Sequence, residues 1–221
     1  LAEDVDRHPP IGRAVIAAAL LLAGERDRAR ILYEPLAASL VHARTNMEAA
    51  TATFLVHLAP AFDDVAACTV IRDWMIAQAD GSPAIGTGVV VYLGSLARNL
   101  GQLDLAAGDP AAAAAHFEKG LVVDAALGAQ PFVAIGRLGL AQALGATGDV
   151  RRAIKLARTA AADARRLDMP GTLRAADAYL AEATRKARAV DPLTDREHEV
   201  LALVAQAMSN REVAGALVLS E

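Results

Sequence analysis

The sequence has little that would cross-link the chain or fill a core with large side chains. It contains a single cysteine, Cys68, which excludes an internal disulfide and fits the reducing environment of the cytoplasm. Aromatic residues make up 4% of the 221 residues, although hydrophobic residues make up 54%, so alanine supplies much of the apolar content. Alanine has the highest helix propensity and a small side chain. The composition therefore predicts an all-α fold of closely packed helices with no sheet.

The chain also lacks an excess of positive charge. Its 22 lysines and arginines are outnumbered by 26 aspartates and glutamates, which gives a net charge of −4. Nucleic-acid-binding domains usually carry a basic footprint, so we expect any basic surface to lie outside these residues. The apolar run at residues 14–23 is too short to span a bilayer, and no basic leader precedes it. We therefore expect no membrane segment and a cytoplasmic protein.

The residues that could catalyse a reaction or bind a ligand do not have the spacing of known catalytic or ligand-binding motifs. The one glycine-rich stretch, residues 81–88, lacks the lysine with which a phosphate-binding loop reaches the outer phosphates. The five histidines are not spaced with Cys, Asp or Glu as metal ligands are, and His116 is interpreted as a partly exposed packing residue. Cys68 is interpreted as a small buried hydrophobe, and Asp63-Asp64 as a helix cap. We predict no catalytic, metal-binding or cofactor-binding residues, and no enzyme.

Three similar segments recur before residue 191. Each places a glycine and an acidic residue a few positions before an alanine, at Ala29, Ala113 and Ala153. The last two alanines are 40 residues apart and the first two are 84 apart, close to twice that period. Self-similarity at this period is typical of stacked helical hairpins. The alternation of small and large residues at Gly101, Ala113 and Phe117 resembles tetratricopeptide repeats, which implies a helical-hairpin solenoid in which Phe117 fills the gap toward the next hairpin.

Apolar residues at helical spacing, with turn residues between them, predict nine helices in this region. Pro35 lies inside one of these patterns and is expected to kink or shorten its helix. Pro192 disfavours helix at Asp191, so residues 189–192 are predicted to be a linker. The predicted helices span residues 10–23, 26–40, 47–58, 64–79, 88–107, 110–127, 132–147, 150–167 and 172–188.

The C-terminal residues carry two helix start signals. Thr194 is followed three residues later by Glu197, and Ser209 is followed in the same way by Glu212. Both pairs are capping boxes, in which the hydroxyl and the carboxylate satisfy free N–H groups of the first helical turn. Two short helices joined by a tight turn are the skeleton of a helix-turn-helix. Apolar residues at helical spacing follow each box, namely Val200, Leu201, Leu203 and Val204, and then Val213, Ala214, Leu217 and Val218.

This segment resembles the DNA-binding domain of LuxR-type transcriptional regulators. The run is L-T-x-R-E-x-E-V-L-x-L-V-A-x-x-M-S-N-R-E-V-A-x-x-L-V-L-S-E over residues 193–221, and it departs at Ala207, where the family usually has glycine. The resemblance implies that the recognition helix and the dimer helix follow these residues. We therefore expect a fragment of a longer protein that does not bind DNA by itself. The implied contacts to the DNA backbone are Thr194, Asn210, Arg211 and Ser220, with Ser220 capping the recognition helix.

The helical region also resembles that of large multidomain LuxR-type regulators, in which an ATPase or cyclase-like domain precedes helical repeats. The resemblance implies tetratricopeptide-like repeats at residues 1–188, the linker at 189–192 and a partial helix-turn-helix at 193–221. It also implies a bacterial transcriptional regulator whose repeat domain binds a protein partner or small-molecule effector, or self-associates. The alternative is a tetratricopeptide-like scaffold for protein–protein interaction without DNA binding, in which the terminal helices only cap the solenoid.

Overall fold

A computed structural model of the chain describes residues 9–42, 49–77, 84–87, 91–190, 195–206 and 208–217. Its internal contacts separate two compact units, Leu1–Leu180 and Ala181–Glu221. The described residues form eleven helices and two short strands, so the all-α class predicted from the composition is confirmed. The helices and strands, in chain order, are α1 Pro10–Leu22, α2 Arg26–His42, α3 Ala49–Ala61, α4 Val65–Ala77, β1 Ala84–Thr87, β2 Val91–Ser95, α5 Leu96–Ala106, α6 Pro110–Ala126, α7 Gln130–Ala146, α8 Val150–Arg166, α9 Pro170–Val190, α10 Asp195–Ala205 and α11 Asn210–Ala216.

One recurring connection joins α1 to α2, α3 to α4, and each consecutive pair from α5 to α9. At the end of α5, Gly108 has a φ of +85°, a conformation that glycine adopts without a Cβ clash. The N–H of the next residue, Asp109, donates to the Asp104 carbonyl (2.9 Å), which is the long hydrogen bond of a Schellman motif. The Asp109 carboxylate then accepts from the N–H of Ala112 (3.0 Å) and caps α6. One three-residue segment therefore ends one helix and starts the next.

The connection repeats at a constant interval in the middle of the chain. The residues in the left-handed conformation at the ends of α5 to α8 are Gly108, Gly128, Gly148 and Asp168, each 20 residues after the one before. Helices α6, α7 and α8 are each 17 residues long, so each helix with its connection fills one interval. Two intervals make the 40-residue spacing seen in the sequence. The same left-handed position occurs earlier at Gly24 and Asp63.

Phe117 fills the space between three successive helices, as the small-and-large pattern predicts. Its ring is 3% exposed and lies between Gly101 of α5 and Gly139 of α7. A Cβ added at Gly101 would lie 3.0 Å from the Phe117 ring, and one added at Gly139 would overlap the ring atoms. The two glycines therefore provide the room that the ring of α6 occupies, and α5, α6 and α7 pack closely around it.

The helix predicted over residues 88–107 is wrong in its first part. Residues 91–95 form strand β2, which pairs antiparallel with β1, and α5 begins only at Leu96. The valines at positions 89–91 are β-branched and favour extended backbone. Ser95 then stops the strand and starts the helix, because its hydroxyl accepts from the N–H of Arg98 (3.2 Å) as an N-cap. The expectation of no sheet is thus corrected by one two-stranded ladder in an all-α fold.

Behind this ladder lies a buried polar cluster that the sequence did not predict. The fully buried carboxylate of Asp124, on α6, accepts from the backbone N–H of Ser95 (2.9 Å) and from the hydroxyls of Ser95 (3.2 Å) and Tyr92. Arg98 of α5 is 1% exposed, and its Nη2 donates to the Leu93 carbonyl (3.0 Å) and to Asn99 Oδ1 (2.7 Å). Burial raises the pKa of Tyr92, and the hydrogen bond to Asp124 raises it further. The cluster fixes the ladder against α5 and α6.

A second buried carboxylate joins α4, α5 and α6. Asp104, 2% exposed, accepts from Nε of Arg72 on α4 and lies 2.6 Å from Nδ1 of His116 on α6. The hydrogen bond to Asp104 is the main cause that raises the pKa of Arg72. The interpretation of His116 as a packing residue is therefore incomplete, because its ring makes a specific polar contact between helices.

Pro35 and Cys68 lie inside helices α2 and α4 of the first unit. Helix α2 continues through Pro35 to His42, so the proline does not shorten it. Cys68 is 1% exposed on α4, in agreement with its interpretation as a small buried residue. Burial raises the pKa of its thiol to about 11, and the nearby Asp64 carboxylate adds to the effect. A thiol in this environment stays protonated near neutral pH and is a poor nucleophile.

Candidate nucleic-acid interface

The second unit contains the two short helices predicted from the C-terminal start signals. Helix α10 covers Asp195–Ala205 and helix α11 covers Asn210–Ala216. After α10, the N–H of Met208 donates to the Leu203 carbonyl (3.3 Å), the same five-residue hydrogen bond that closes the helices of the first unit. Ala207, where the resembling family usually has glycine, lies outside the described residues. The chain thus turns between α10 and α11 within four residues.

The second capping box is confirmed at the start of α11. The N–H of Ser209 donates to Glu212 Oε2 (2.8 Å), and the N–H of Glu212 donates to Ser209 Oγ (3.4 Å). The Ser209 hydroxyl also donates to the Glu212 carboxylate (2.7 Å), and this hydrogen bond is the main cause that lowers the pKa of Glu212. The box holds the first turn of a helix only seven residues long. The first box cannot be compared, because Thr194 lies outside the described residues.

Removing this cap is expected to fray α11. Because Glu212 has a lowered pKa in the folded state, its contribution to stability is present above the ordinary pKa of glutamate and is lost as the pH falls through the lowered value. We expect Ser209→Ala to weaken the helix start by about 1 kcal/mol and to speed hydrogen exchange of the Glu212 amide. Exchange of that amide, measured by NMR at neutral and acidic pH, checks the effect.

Ser209→Asp provides the matched control, because aspartate is also a preferred N-cap. It should keep the Glu212 amide protected at neutral pH. Equal exchange rates in the Ser209→Ala variant and the unmodified chain would show that the capping box does not hold α11 in solution.

The apolar residues of the two helices are covered unequally. Val213 of α11 is 7% exposed, whereas Leu201 and Val204 of α10 are 53% and 48% exposed. Of the four predicted stripe residues on α10, Leu201 and Val204 are thus exposed, whereas Val200 and Leu203 are partly buried. Val218 lies outside the described residues.

Arg196 is a positioning residue that sequence reasoning missed. Its guanidinium donates through Nη2 to the backbone carbonyl of Leu217, just beyond the end of α11, and pairs with Glu199 (2.7 Å) on its own helix. It therefore ties the first turn of α10 to the last turn of α11, where helix carbonyls have no partner within the helix. Only the way the two helices cross brings these positions together, so no local sequence pattern indicates this contact.

Two of the four predicted DNA contacts lie within the described residues. Asn210 and Arg211 occupy the first turn of α11, directly after the Ser209 cap, and both side chains are exposed. They are consecutive residues at the start of α11. Thr194 and Ser220 lie outside the described residues, so their roles remain predictions.

Metal sites, membrane spans and phosphate-binding loops each have a structural signature of their own. Among the described residues, no group of three or more His, Cys, Asp or Glu side chains is placed to hold a metal ion. None of the helices described here has the length and apolar character needed to cross a membrane. Within the glycine-rich stretch, residues 84–87 form strand β1, whereas a phosphate-binding loop leads into the N-terminus of a helix.

A helix, a tight turn and a second capped helix define the first half of a helix-turn-helix, a class of DNA-binding domain. Residues 191–221 match the family described as "Bacterial regulatory proteins, luxR family" (GerE). The matched segment lies wholly within the second compact unit, Ala181–Glu221, and contains both α10 and α11. The C-terminal segment is thus similar to a LuxR-type helix-turn-helix, and this match supports a DNA-binding transcriptional regulator. No curated protein and no solved structure matched the chain.

Proposed function

We propose that the protein is a bacterial, cytoplasmic transcriptional regulator that binds DNA through its LuxR-type helix-turn-helix. The observation that carries this proposal is the coincidence of two features at one place. The family match at residues 191–221 falls on two short helices joined by a tight turn, and the second helix begins with the capping box expected there. We assign no catalytic role to the chain.

In this proposal Thr194, Asn210, Arg211 and Ser220 contact the phosphate backbone. Asn210 and Arg211 suit this role, because both are exposed and lie in the first turn of α11, and helix N-termini favour phosphate groups. Amide and guanidinium groups are common donors to phosphate oxygens, and such contacts fix the register of a protein on the duplex without reading its sequence. Base reading belongs to the recognition helix, which the family resemblance places after Ser220.

The first unit is proposed to be a tetratricopeptide-like module that receives a signal. The constant 20-residue interval of the left-handed connections and the 17-residue helices support a stack of helical hairpins. Such stacks expose extended concave surfaces to which other molecules bind. The hypothesis is that a protein partner, a small-molecule effector or a second copy of the chain binds this module and thereby changes how the helix-turn-helix meets DNA.

The test is a titration of the natural full-length protein with duplex DNA at several salt concentrations. Each lysine or arginine that neutralises a phosphate contributes about 0.9 to the steepness of log affinity against log salt concentration, so removing one such residue makes the slope shallower by about 0.9. We therefore expect Arg211→Ala to weaken binding on all sequences and to reduce the slope by about this amount. Arg28→Ala removes an exposed arginine of α2 that pairs with Glu25 and serves as the control, with no expected change.

Each result of the titration decides one part of the proposal. Unchanged affinity and slope in Arg211→Ala would remove Arg211 from the interface. If the full-length protein binds no duplex even at low salt, the DNA-binding function itself is wrong. The alternative, a protein–protein interaction scaffold, would then take its place.

A further inference from the structure

Helix α8 concentrates the positive charge of the chain. Its 17 residues hold six of the 22 lysines and arginines but only one of the 26 acidic residues, Asp163. The expectation that any basic surface must lie outside these residues is therefore wrong. A net charge of −4 over the whole chain conceals one strongly basic helix.

Four of these cations form a narrow line along the exposed side of α8. Arg151, Lys155, Arg158 and Arg165 are all exposed, and they follow one another at intervals of four, three and seven residues. At about 100° per residue these intervals keep all four within an arc of about 80°, and at about 1.5 Å per residue the line is about 21 Å long. We call these four residues the basic stripe. The opposite side of the helix is buried and holds Ala153, Ala157, Ala160, Ala161 and Ala164, which fixes the direction in which the stripe points.

The basic stripe is not neutralised by the protein itself. The two neighbouring cations on α8 each have a partner, since Arg152 pairs with Glu118 (2.7 Å) and Arg166 with Asp163 (3.1 Å). Within the described part of the chain, none of the four stripe residues has an ion-pair partner. Like charges three and four residues apart on a helix repel one another. An anionic partner outside the protein would relieve this repulsion.

We propose that the basic stripe of α8 binds the phosphate backbone of duplex DNA. The 221-residue chain should then bind DNA of any sequence at low salt, contrary to the expectation from the family resemblance that it does not bind DNA by itself. The choice of DNA among polyanions rests on the proposed function, because the same chain carries the LuxR-type segment. Duplex DNA carries one phosphate charge per about 1.7 Å of its axis when both strands are counted, so a stripe of about 21 Å meets a high density of negative charge along its whole length. Long, flexible lysine and arginine side chains reach such phosphates without a fixed register, so the contact adds affinity but no sequence preference.

The composition of the exposed face argues against the two other anionic partners. A helix that lies on a membrane buries large apolar side chains next to its cations, but Thr159 and Ala162 lie between these cations, and the exposed large hydrophobic residues of the described chain include none from α8. A protein interface is built around buried aromatic and apolar anchors, and lysine is depleted there. The exposed face of α8 carries only charged and small side chains, which favours binding to a uniformly charged polyanion such as DNA.

The experiment titrates the 221-residue chain with a duplex of random sequence, about 30 base pairs long, by fluorescence anisotropy at salt concentrations from about 50 to about 300 mM. Lys155→Gln/Arg158→Gln removes the two central charges of the stripe. We expect affinity at the lowest salt to fall about tenfold or more, and the slope of log affinity against log salt to decrease by about 2. The control, Arg28→Gln/Arg30→Gln, removes the same charge from exposed positions on α2 and should leave both quantities unchanged.

A second variant tests the stripe by gain of function. Ala162 is exposed and lies on the same line between Arg158 and Arg165, so Ala162→Lys adds a fifth cation without displacing a neighbour. It should raise affinity several-fold at low salt and increase the slope by about 0.9. Ala19→Lys, at an exposed position of α1, adds the same charge elsewhere and should have no such effect. Because this variant gains binding, a folding defect cannot imitate the predicted result.

The inference is overturned if the unmodified chain does not bind the duplex at low salt, or if the α8 variants behave like their α2 and α1 controls. It is also overturned if anionic phospholipid vesicles or poly-glutamate bind the stripe more tightly than DNA does. The proposed function is judged separately, by Arg211→Ala in the full-length protein. Stripe variants that leave DNA affinity unchanged while Arg211→Ala lowers it would remove this inference and keep that function.

Discussion

Replacing Asp124 by alanine is expected to lower the free energy of unfolding by about 3–5 kcal/mol. The fully buried carboxylate accepts hydrogen bonds from the Ser95 N–H, the Ser95 hydroxyl and the Tyr92 hydroxyl. Without it these donors lose their partner, and the buried guanidinium of Arg98 loses its nearby negative charge. Burial alone already lowers the pKa of Arg98, and the Asp124 charge opposes that change. Urea denaturation monitored by circular dichroism measures the loss.

Two other variants separate the loss of the Asp124 charge from the loss of its hydrogen bonds and from the general effect of replacing an aspartate. Asp124→Asn keeps the shape and an acceptor but removes the charge, so it should cost about 1–3 kcal/mol. Asp177→Ala changes an exposed aspartate of α9 and should stay within about 0.5 kcal/mol of the unmodified chain. If Asp124→Ala costs less than about 1 kcal/mol, the hydrogen bonds of the cluster are not formed in solution.

Phe117→Ala is the second large expected loss, about 3–5 kcal/mol in the free energy of unfolding. The ring occupies the space that Gly101 and Gly139 leave between α5, α6 and α7. Deleting it removes the free energy gained by burying the ring away from water. It also leaves a cavity that the helices on both sides cannot close, which destabilises the fold further. Chemical denaturation of the variant gives the value directly.

Gly139→Ala tests the same contact from the opposite helix. The added Cβ overlaps the Phe117 ring, so this variant alone should lose about 1–3 kcal/mol through overpacking. In a Phe117→Leu background the overlap is smaller, and Gly139→Ala should then cost at least about 1 kcal/mol less. If the two changes are additive, the ring of Phe117 does not lie against Gly139, and the packing of α6 against α7 differs from that described.

Features fixed by neighbouring residues could be predicted from the sequence. The capping box of Ser209 and Glu212 involves residues three apart, and the Gly-Asp pairs at 108–109 and 148–149 combine a left-handed turn with a helix cap. Phe117 could be predicted as a gap-filling residue because the repeat pattern places it against small residues. In each case the physical cause lies within a few residues of the sequence or within one repeat period.

Features that depend on distant partners could not be predicted. Asp124 and Arg98 appear as ordinary polar residues of amphipathic helices, and only the fold buries both beside β2. Arg196 and Leu217 meet because α10 and α11 cross. The basic stripe was missed for a different reason. Its spacing is present in the sequence, but the charge was considered as a total over the chain, and which side of α8 is buried is known only from its alanine packing.

The most direct test of the account is to select DNA from the fragmented genome of the source organism with the natural full-length protein and to sequence the bound fragments. A LuxR-type regulator should enrich a small set of fragments that lie upstream of genes and share a sequence motif, because specific sites bind about 10³-fold or more tightly than random DNA. Arg211→Ala should lower the yield of these fragments without changing the motif. If the recovered DNA shows no shared motif, or if no DNA is recovered at low salt, the chain does not belong to a sequence-specific regulator.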